Sequence, residues 1–143
     1  WLISLKPSAL VLSGGGNIGE NRKRDGTEIN LLKYAQREKI PVLGICRGMQ
    51  MMANFSGVTL KSVDGHVKVR HEITGVISGE VNSYHSYSLD TCPPDYDELA
   101  RSNDGEIEAI RHKKLQWEGW MWHPERENEF ALRDMTRIKN LFE

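Results

Sequence analysis

The sequence has few cysteines, no long apolar run and almost no net charge. Two cysteines in 143 residues are too few for a disulfide-rich secreted scaffold. No apolar stretch approaches the roughly 20 residues of a membrane-spanning helix, and no signal peptide opens the chain. The formal net charge of −1 gives no general attraction to nucleic acid or to anionic lipid. We therefore predict a cytoplasmic protein that binds neither nucleic acid nor membrane.

The length is that of one ordinary domain with its own hydrophobic core. The chain begins with Trp1 rather than Met and reaches an apolar stretch almost at once. We expect residues 1–143 to form a single domain from which N-terminal residues are missing.

Apolar runs and helical patterns alternate in the first part of the chain. They predict a strand over 9–12, a helix over 26–39, a strand over 41–45 and a helix over 47–55. Asp25 and Glu28 have the spacing of a cap for the first helix. The basic run 22–24, flanked by acidic residues, is interpreted as a solvated loop. This order of strands and helices indicates a parallel sheet with crossover helices, the α/β class.

The second part of the chain is predicted to be mostly extended. Extended segments over 67–83 and 98–112, the latter interrupted by a turn at 103–105, precede a strand over 117–122 and an amphipathic helix over 130–142. Trp117, Trp120 and Trp122 are interpreted as core and pocket wall rather than as a stacking surface for nucleic acid.

Cys46 lies between a predicted buried strand and a predicted helix, in the run Gly44-Ile45-Cys46-Arg47-Gly48. This pattern is the cysteine form of the nucleophile elbow, a turn too sharp for neighbouring Cβ atoms. The elbow presents sulfur at the carboxyl end of the sheet, where open α/β folds bind ligands. The N-terminus of the following helix is expected to favour the thiolate. On this pattern alone, a structural cysteine buried between two packing glycines stays an alternative.

Backbone N–H groups are expected to stabilise the oxyanion that forms when sulfur adds to a carbonyl. The N–H of Arg47 follows the nucleophile and is one candidate donor. The glycine run after the first strand is placed to supply another, through the N–H of Gly15 or Gly16.

A cysteine nucleophile needs a base that shares its proton and protonates the leaving amine. Among the five histidines, His123 is followed two residues later by Glu125. Pro124 biases His123 toward extended geometry, in which residues i and i+2 face the same side. Glu125 is therefore predicted to hold one imidazole nitrogen and to orient the other toward sulfur.

Four motifs, in their order along the chain, resemble class I glutamine amidotransferases. They are the glycine run 14–16, the segment 44–50 around Cys46, the Val-Asn-Ser-Tyr-His segment 81–85 and the Trp-His-Pro-Glu segment 122–125. The resemblance is closest to the γ-glutamyl hydrolase-like branch, and it implies an open, mostly parallel sheet flanked by helices, a flavodoxin-like arrangement. Family members also begin with a strand–helix–strand unit before the glycine run, and this chain lacks most of it.

The resemblance assigns roles to individual residues. Cys46 is the nucleophile, His123 the base and Glu125 the residue that orients the base, while Gly15 or Gly16 and Arg47 form the oxyanion hole. The residues implied around the glutamyl group are Gln50, the backbone of Asn82, Ser83 and Tyr84, and His85 as a lining residue.

The implied reaction is the hydrolysis of a γ-glutamyl amide through a γ-glutamyl thioester. Arg47 stands where amidotransferases that deliver ammonia usually have Leu, which favours a hydrolase. The implied ligand is a small γ-glutamyl amide or glutamine, and no cofactor is implied. Two alternatives stay open: a glutaminase subunit that passes ammonia to a separate synthase partner, and an inactive binding or scaffold relative.

The remaining histidines give no pattern of a metal site. The spacing of His66, His71 and His85 fits neither a Cys/His finger nor a helical H-x-x-x-H pair. We therefore predict that no metal is bound.

Overall fold

The computed structural model describes residues 2–143. The helices are α1 (Leu2–Leu5), α2 (Arg22–Glu38), α3 (Arg47–Phe55) and α4 (Leu132–Phe142), with a 3-10 turn at Pro124–Arg126. The strands are β1 (Leu10–Leu12), β2 (Val42–Ile45), β3 (Leu60–Ser62), β4 (Val67–Gly75), β5 (Gly79–Tyr84), β6 (Tyr87–Leu89), β7 (Tyr96–Ser102), β8 (Ile107–His112) and β9 (Trp117–Trp120). No helix within 2–143 is long and apolar enough to cross a membrane.

Seven strands form one mixed sheet in the order β1-β2-β9-β8-β7-β4-β5, and β3 pairs with β6 in a separate ribbon. β1, β2 and β9 are parallel neighbours, and the other four neighbouring pairs of the large sheet are antiparallel. The predicted α/β class with flanking helices is confirmed, but the expectation of a mostly parallel sheet is wrong, because the sheet is mixed. Its parallel part contains the strands that helices follow, and its antiparallel part is the extended second half of the chain.

Most predicted elements lie close to their expected positions. The helix predicted over 47–55 has those bounds, and the segment predicted over 98–112 is the β7–β8 hairpin. The predicted start of α2 is wrong: the helix begins at Arg22, and the side chain of Asn21 caps it by accepting a hydrogen bond from the N–H of Arg24. Asp25 and Glu28 therefore lie inside the helix, and the basic run is its first turn rather than a loop.

Helices cover both faces of the sheet. Alternate residues of β2 enter different apolar clusters, Val42 in one and Leu43 in the other, because successive strand residues face opposite sides. The first cluster includes Leu32 of α2 and the buried methionines of α3. The second includes Leu141 of α4. The three tryptophans predicted in the core are each at most 1% exposed, which confirms their interpretation as core residues.

Candidate active site

Cys46 lies at the turn between β2 and α3. Its backbone has φ 52° and ψ −102°, a conformation that is strained for a residue with a Cβ atom. Glycine is required on both sides of this turn. A Cβ on Gly44 would lie 2.7 Å from the carbonyl carbon of Gly48, and a Cβ on Gly48 would overlap the carbonyl group of Leu12. The local structure is thus the elbow that the sequence predicted.

The thiol of Cys46 is shielded from water, since the residue is 6% exposed. Burial raises the pKa of this thiol to about 11, although a hydrogen bond from the backbone N–H of Arg47 and the charge of Arg126 lower it in part. The carboxylates of Glu125 and Glu108 raise it further. The first N–H of the helix thus favours the thiolate, as expected, but in the free protein the desolvation of the thiol outweighs this effect.

His123 and Glu125 are in direct contact, as predicted. Nδ1 of His123 lies 2.7 Å from Oε1 of Glu125. The extended backbone of His123, with φ −106° and ψ 93°, precedes the 3-10 turn that Pro124 begins. The contact occupies Nδ1 and leaves Nε2 as the imidazole nitrogen available for proton transfer. His123 is 3% exposed, whereas the Glu125 side chain is 53% exposed.

The buried side chain of Asn82, on the edge strand β5, holds the backbone of His123. Its Nδ2 donates to the carbonyl oxygen of His123 at 2.7 Å, and its Oδ1 accepts from the N–H of His123 at 2.8 Å. Tyr84, also on β5, packs its ring edge-on against the imidazole with 5.8 Å between centroids. Sequence analysis assigned these residues only to the glutamyl group, because no local pattern links β5 to the segment after β9.

The glycine run lies against His123 on one side and Arg24 on the other. A Cβ on Gly14 would overlap Cε1 of His123 and lie 3.3 Å from its Nδ1. Nη2 of Arg24 donates to the carbonyl oxygens of Ser13 and Gly14, each at 2.9 Å. Within residues 2–143, no hydrogen bond engages the N–H of Gly15 or Gly16, so both donors are available to a ligand.

The side chain of Arg47 points away from bulk solvent into an ion-pair network. It is 2% exposed and pairs with both Asp25 and Glu28 of α2. Glu28 also contacts Arg24, with 3.4 Å between Nε and Oε1. The two acidic residues that the sequence assigned to a helix cap thus pair with Arg47 at the start of α3, and Glu28 also contacts the arginine that holds the glycine run.

Gln50 lines an open cavity of about 420 Å³ next to the glycine run. Its side chain is buried, and Nε2 donates to the carbonyl oxygen of Tyr87 at 3.0 Å. The other lining residues include Asn17 and Glu20. Ser83 is fully buried and its hydroxyl donates to the carbonyl oxygen of His66 at 2.7 Å, so its side chain is engaged elsewhere.

A second cavity, of about 460 Å³, is lined in part by Asn82 and Tyr84, both of which contact His123. Basic side chains line it: Lys68, Arg70 and Arg126. Arg126 stacks over the Tyr84 ring at 4.5 Å, while Arg70 is paired with Glu80 and Glu127. Lys68 and Arg126 therefore make this cavity cationic.

The side chains of three histidines that are distant in sequence meet at Glu108 of β8. His66, His71 and His85 each have a ring nitrogen within 3.5 Å of the same Glu108 oxygen. The neighbouring carboxylates of Glu108 and Asp104 raise the pKa of His66 to about 9. The ring of His85, predicted to line the glutamyl pocket, belongs to this cluster, which spacing along the chain did not indicate.

Known proteins resemble this chain in sequence and in fold. A profile of the glutamine amidotransferase class-I family matches residues 2–139. The chain is 36% identical to the γ-glutamyl-CDP-amidate hydrolase of Campylobacter jejuni, over 94% of this chain and 69% of that protein. It is 33% identical to the anthranilate synthase component 2 of Leptospira biflexa, over 87% of this chain and 70% of that protein. The chain thus spans a little over two thirds of the length of these two relatives.

A solved structure has the same fold. A glutamine amidotransferase from Thermotoga maritima superposes with a TM-score of 0.73 at 22% identity, covering 96% of this chain and 63% of that one. Together with the family match over nearly the whole length, this shows that the chain belongs to the class I glutamine amidotransferase family.

Proposed function

We propose that this protein is a cysteine-dependent amidohydrolase that cleaves a γ-glutamyl amide and releases glutamate. The proposal rests on two observations: the strained elbow at Cys46, and an imidazole whose Nδ1 is held by the Glu125 carboxylate at 2.7 Å. The charge of Glu125 also acts on the Cys46 thiol. Membership in the family and the hydrolase named among its relatives support an amide-cleaving enzyme. The residues proposed for catalysis are Cys46, His123 and Glu125.

The first half-reaction forms a thioester. The thiol is protonated at neutral pH because its pKa is raised, so Nε2 of His123 takes the thiol proton as sulfur attacks the γ-carbonyl carbon. The C–N bond then breaks, and the same proton passes from Nε2 to the departing amine. Glu125 stabilises the imidazolium that exists between these two proton transfers. In the second half-reaction water gives a proton to His123, attacks the thioester and releases glutamate, and Cys46 recovers its proton.

Backbone N–H groups are proposed to stabilise the tetrahedral oxyanion. The free donors of Gly15 and Gly16 and the N–H of Arg47 are the groups assigned to it. The Arg47 N–H contacts the sulfur in the free protein, and we propose that it turns to the oxyanion once charge develops there. Such donors accelerate the reaction because they bind charge that exists only near the transition state.

The two cavities beside the site suggest where each part of the substrate lies. Gln50 is assigned to the glutamyl group, because its cavity of about 420 Å³ is next to the glycine run. The cationic cavity with Lys68 and Arg126 suits a leaving group that carries negative charge, such as a phosphoryl amide. The hydrolase from Campylobacter jejuni, whose name specifies a γ-glutamyl-CDP-amidate, supports this class of substrate.

A glutaminase subunit that delivers ammonia to a separate synthase is the second candidate. Its support is the 33% identity to the component of an anthranilate synthase from Leptospira biflexa. Glutamine hydrolysis that stays negligible until a synthase is added would favour it. Rapid cleavage of an amidate by the protein alone would favour the hydrolase, and failure of Cys46 to react with any glutamine-like electrophile would favour an inactive scaffold.

Trapping of the thioester tests the proposed chemistry. We expect intact-mass measurement after rapid acid quenching to detect protein heavier by one γ-glutamyl group, attached at Cys46 and released by hydroxylamine. The Cys46→Ser variant would carry a hydroxylamine-resistant ester or no adduct. The mechanism would be contradicted if the wild-type protein hydrolysed its substrate but never showed a hydroxylamine-sensitive adduct on Cys46.

A further inference from the structure

The cluster of His66, His71, His85 and Glu108 is built from four separate parts of the chain. His66 directly precedes β4, His71 lies within β4, His85 follows β5, and Glu108 lies on β8. One ligand-type atom from each lies within 4.8 Å of the others. His66, His85 and Glu108 are each at most 3% exposed, and His71 is half-buried. This is a buried convergence of polar groups rather than a surface patch.

The facing atoms of the cluster have no hydrogen-bond partner in the described part of the chain. They are Nδ1 of His66, Nε2 of His71, Nε2 of His85 and both carboxylate oxygens of Glu108. Buried polar atoms without partners are rare in folded proteins, because each one costs free energy. Five such atoms at one point indicate that a further group belongs between them.

The outer nitrogen of each imidazole is held by an acceptor. Nε2 of His66 lies 2.6 Å from Oδ2 of Asp104. Nδ1 of His85 lies 3.0 Å from the carbonyl oxygen of Tyr87, and Nδ1 of His71 lies 3.3 Å from the carbonyl oxygen of Glu72. In the neutral form of each imidazole, which is the form that binds a metal, this contact places the ring proton on the outer nitrogen and leaves a lone pair for the cluster. Histidines that bind metals are oriented in this way by carboxylates and carbonyls.

The distances from Glu108 to the three histidines fit a tetrahedral ion of zinc size, and the ligand atoms all lie within 4.8 Å of one another. Zn²⁺ binds imidazole nitrogen and carboxylate oxygen at about 2.0–2.2 Å, so two ligands of a tetrahedral site are about 3.4 Å apart. The facing nitrogens of His66, His71 and His85 lie 3.4, 3.5 and 3.5 Å from Oε1 of Glu108. Protonation of the histidines is a costly way to satisfy these atoms, because three protonated imidazoles would bury three positive charges beside one carboxylate.

We propose that this cluster is a structural Zn²⁺ site with three histidines and Glu108 as ligands. Four protein ligands close the coordination sphere, which is typical of structural rather than catalytic zinc. The ion would join the start of β4, the end of β5 and β8. β5 also carries Asn82, which holds His123, so the ion would fix the frame on which the imidazole is positioned. The proposal does not depend on the reaction catalysed.

The first test is metal content and affinity of the purified wild-type protein. We expect about one equivalent of Zn²⁺ by elemental analysis, and rebinding by chelator-treated protein with a dissociation constant below about 1 µM in competition with a chromophoric chelator. At a hundredfold excess of Zn²⁺ over that constant, Tm should rise by roughly 5–10 °C. Co²⁺ in place of Zn²⁺ should give the intense visible absorption of a four-coordinate ion.

Variants separate this site from adventitious binding. His71→Ala should weaken Zn²⁺ binding at least about 100-fold, whereas His112→Ala, which changes the histidine outside both this cluster and the active site, should not. Asp104→Asn should weaken it about 10- to 100-fold. Its carboxylate is 54% exposed, so we expect the variant to fold, and exposed Asp64→Asn is the matched control. Wild-type protein that binds Zn²⁺ no more tightly than folded Asp104→Asn and His71→Ala would overturn the proposal.

Discussion

Nη2 of Arg24 donates to the carbonyl oxygen of Gly14 at 2.9 Å. Because C=O and N–H of one trans peptide point in opposite directions, this bond turns the N–H of Gly15 away from Arg24. We expect Arg24→Ala to lower kcat about 10- to 100-fold, with a smaller change in KM, because an oxyanion donor loses its fixed position. Steady-state kinetics check this, and Arg22→Ala in the exposed first turn of α2 is the control. Equal losses of kcat in the two variants would contradict a positioning role for Arg24.

The contact between Gly14 and His123 gives a second prediction. A Cβ at position 14 would overlap Cε1 of the imidazole, so Gly14→Ala should displace the base and lower kcat/KM by at least about 100-fold. Gly26→Ala is the matched control, because a Cβ there meets nothing within 4 Å. It should keep full activity and stabilise α2 by about 0.5–1 kcal/mol. If Gly14→Ala kept full activity, the position of the His123 imidazole against Gly14 would not matter for catalysis, which would contradict the mechanism.

The pKa of Cys46 predicts the pH dependence of alkylation. Only the thiolate reacts, and burial raises its pKa to about 11, so the reactive fraction of the free protein rises with pH and is still rising above pH 9. The rate of iodoacetamide reaction at Cys46, followed by peptide mass spectrometry, should therefore increase about tenfold per pH unit between pH 7 and 9. A plateau reached below pH 8 would mean that the free protein holds a thiolate–imidazolium pair instead.

Charge recognition at the cationic cavity is tested through Lys68. This residue is exposed, lines the cavity beside Tyr84 and lies at a β-bulge with φ 55°. Lys68→Gln should raise KM roughly 2- to 5-fold for a γ-glutamyl amide whose leaving group carries phosphate, and leave KM for a neutral anilide unchanged. High salt should reduce the difference. Lys114→Gln serves as a surface-charge control, and identical KM changes for both substrates would argue against an anionic leaving group.

Local patterns in the sequence predicted the parts of the site that depend on local geometry. The elbow at Cys46 follows from glycines that the turn itself requires, and the contact of His123 with Glu125 follows from i, i+2 geometry before a proline. Both are found in the structure. The roles of these residues in catalysis stay predictions.

Local sequence patterns could not predict the contacts between residues that are distant along the chain. Asp25 and Glu28 have the spacing of a cap, but both pair with Arg47, which lies on another helix. The thiol pKa depends on burial by the whole fold rather than on the helix N-terminus alone. The histidine cluster depends on the β4–β5 register, in which the N–H of His85 donates to the carbonyl oxygen of His66, and on Glu108 from a strand further along the sheet. A hairpin assignment within 67–83 would have placed His66 near His85.

Glutamate release from a panel of γ-glutamyl amides and free glutamine, by wild-type protein and Cys46→Ala, tests the central claim most directly. Cys92→Ala is the matched control, because Cys92 is the other free cysteine and is remote from the elbow in sequence. We predict that wild-type and Cys92→Ala cleave at least one amide at equal rates and that folded Cys46→Ala releases no glutamate above background. Glutamate release that persists in Cys46→Ala would contradict nucleophilic catalysis by this residue.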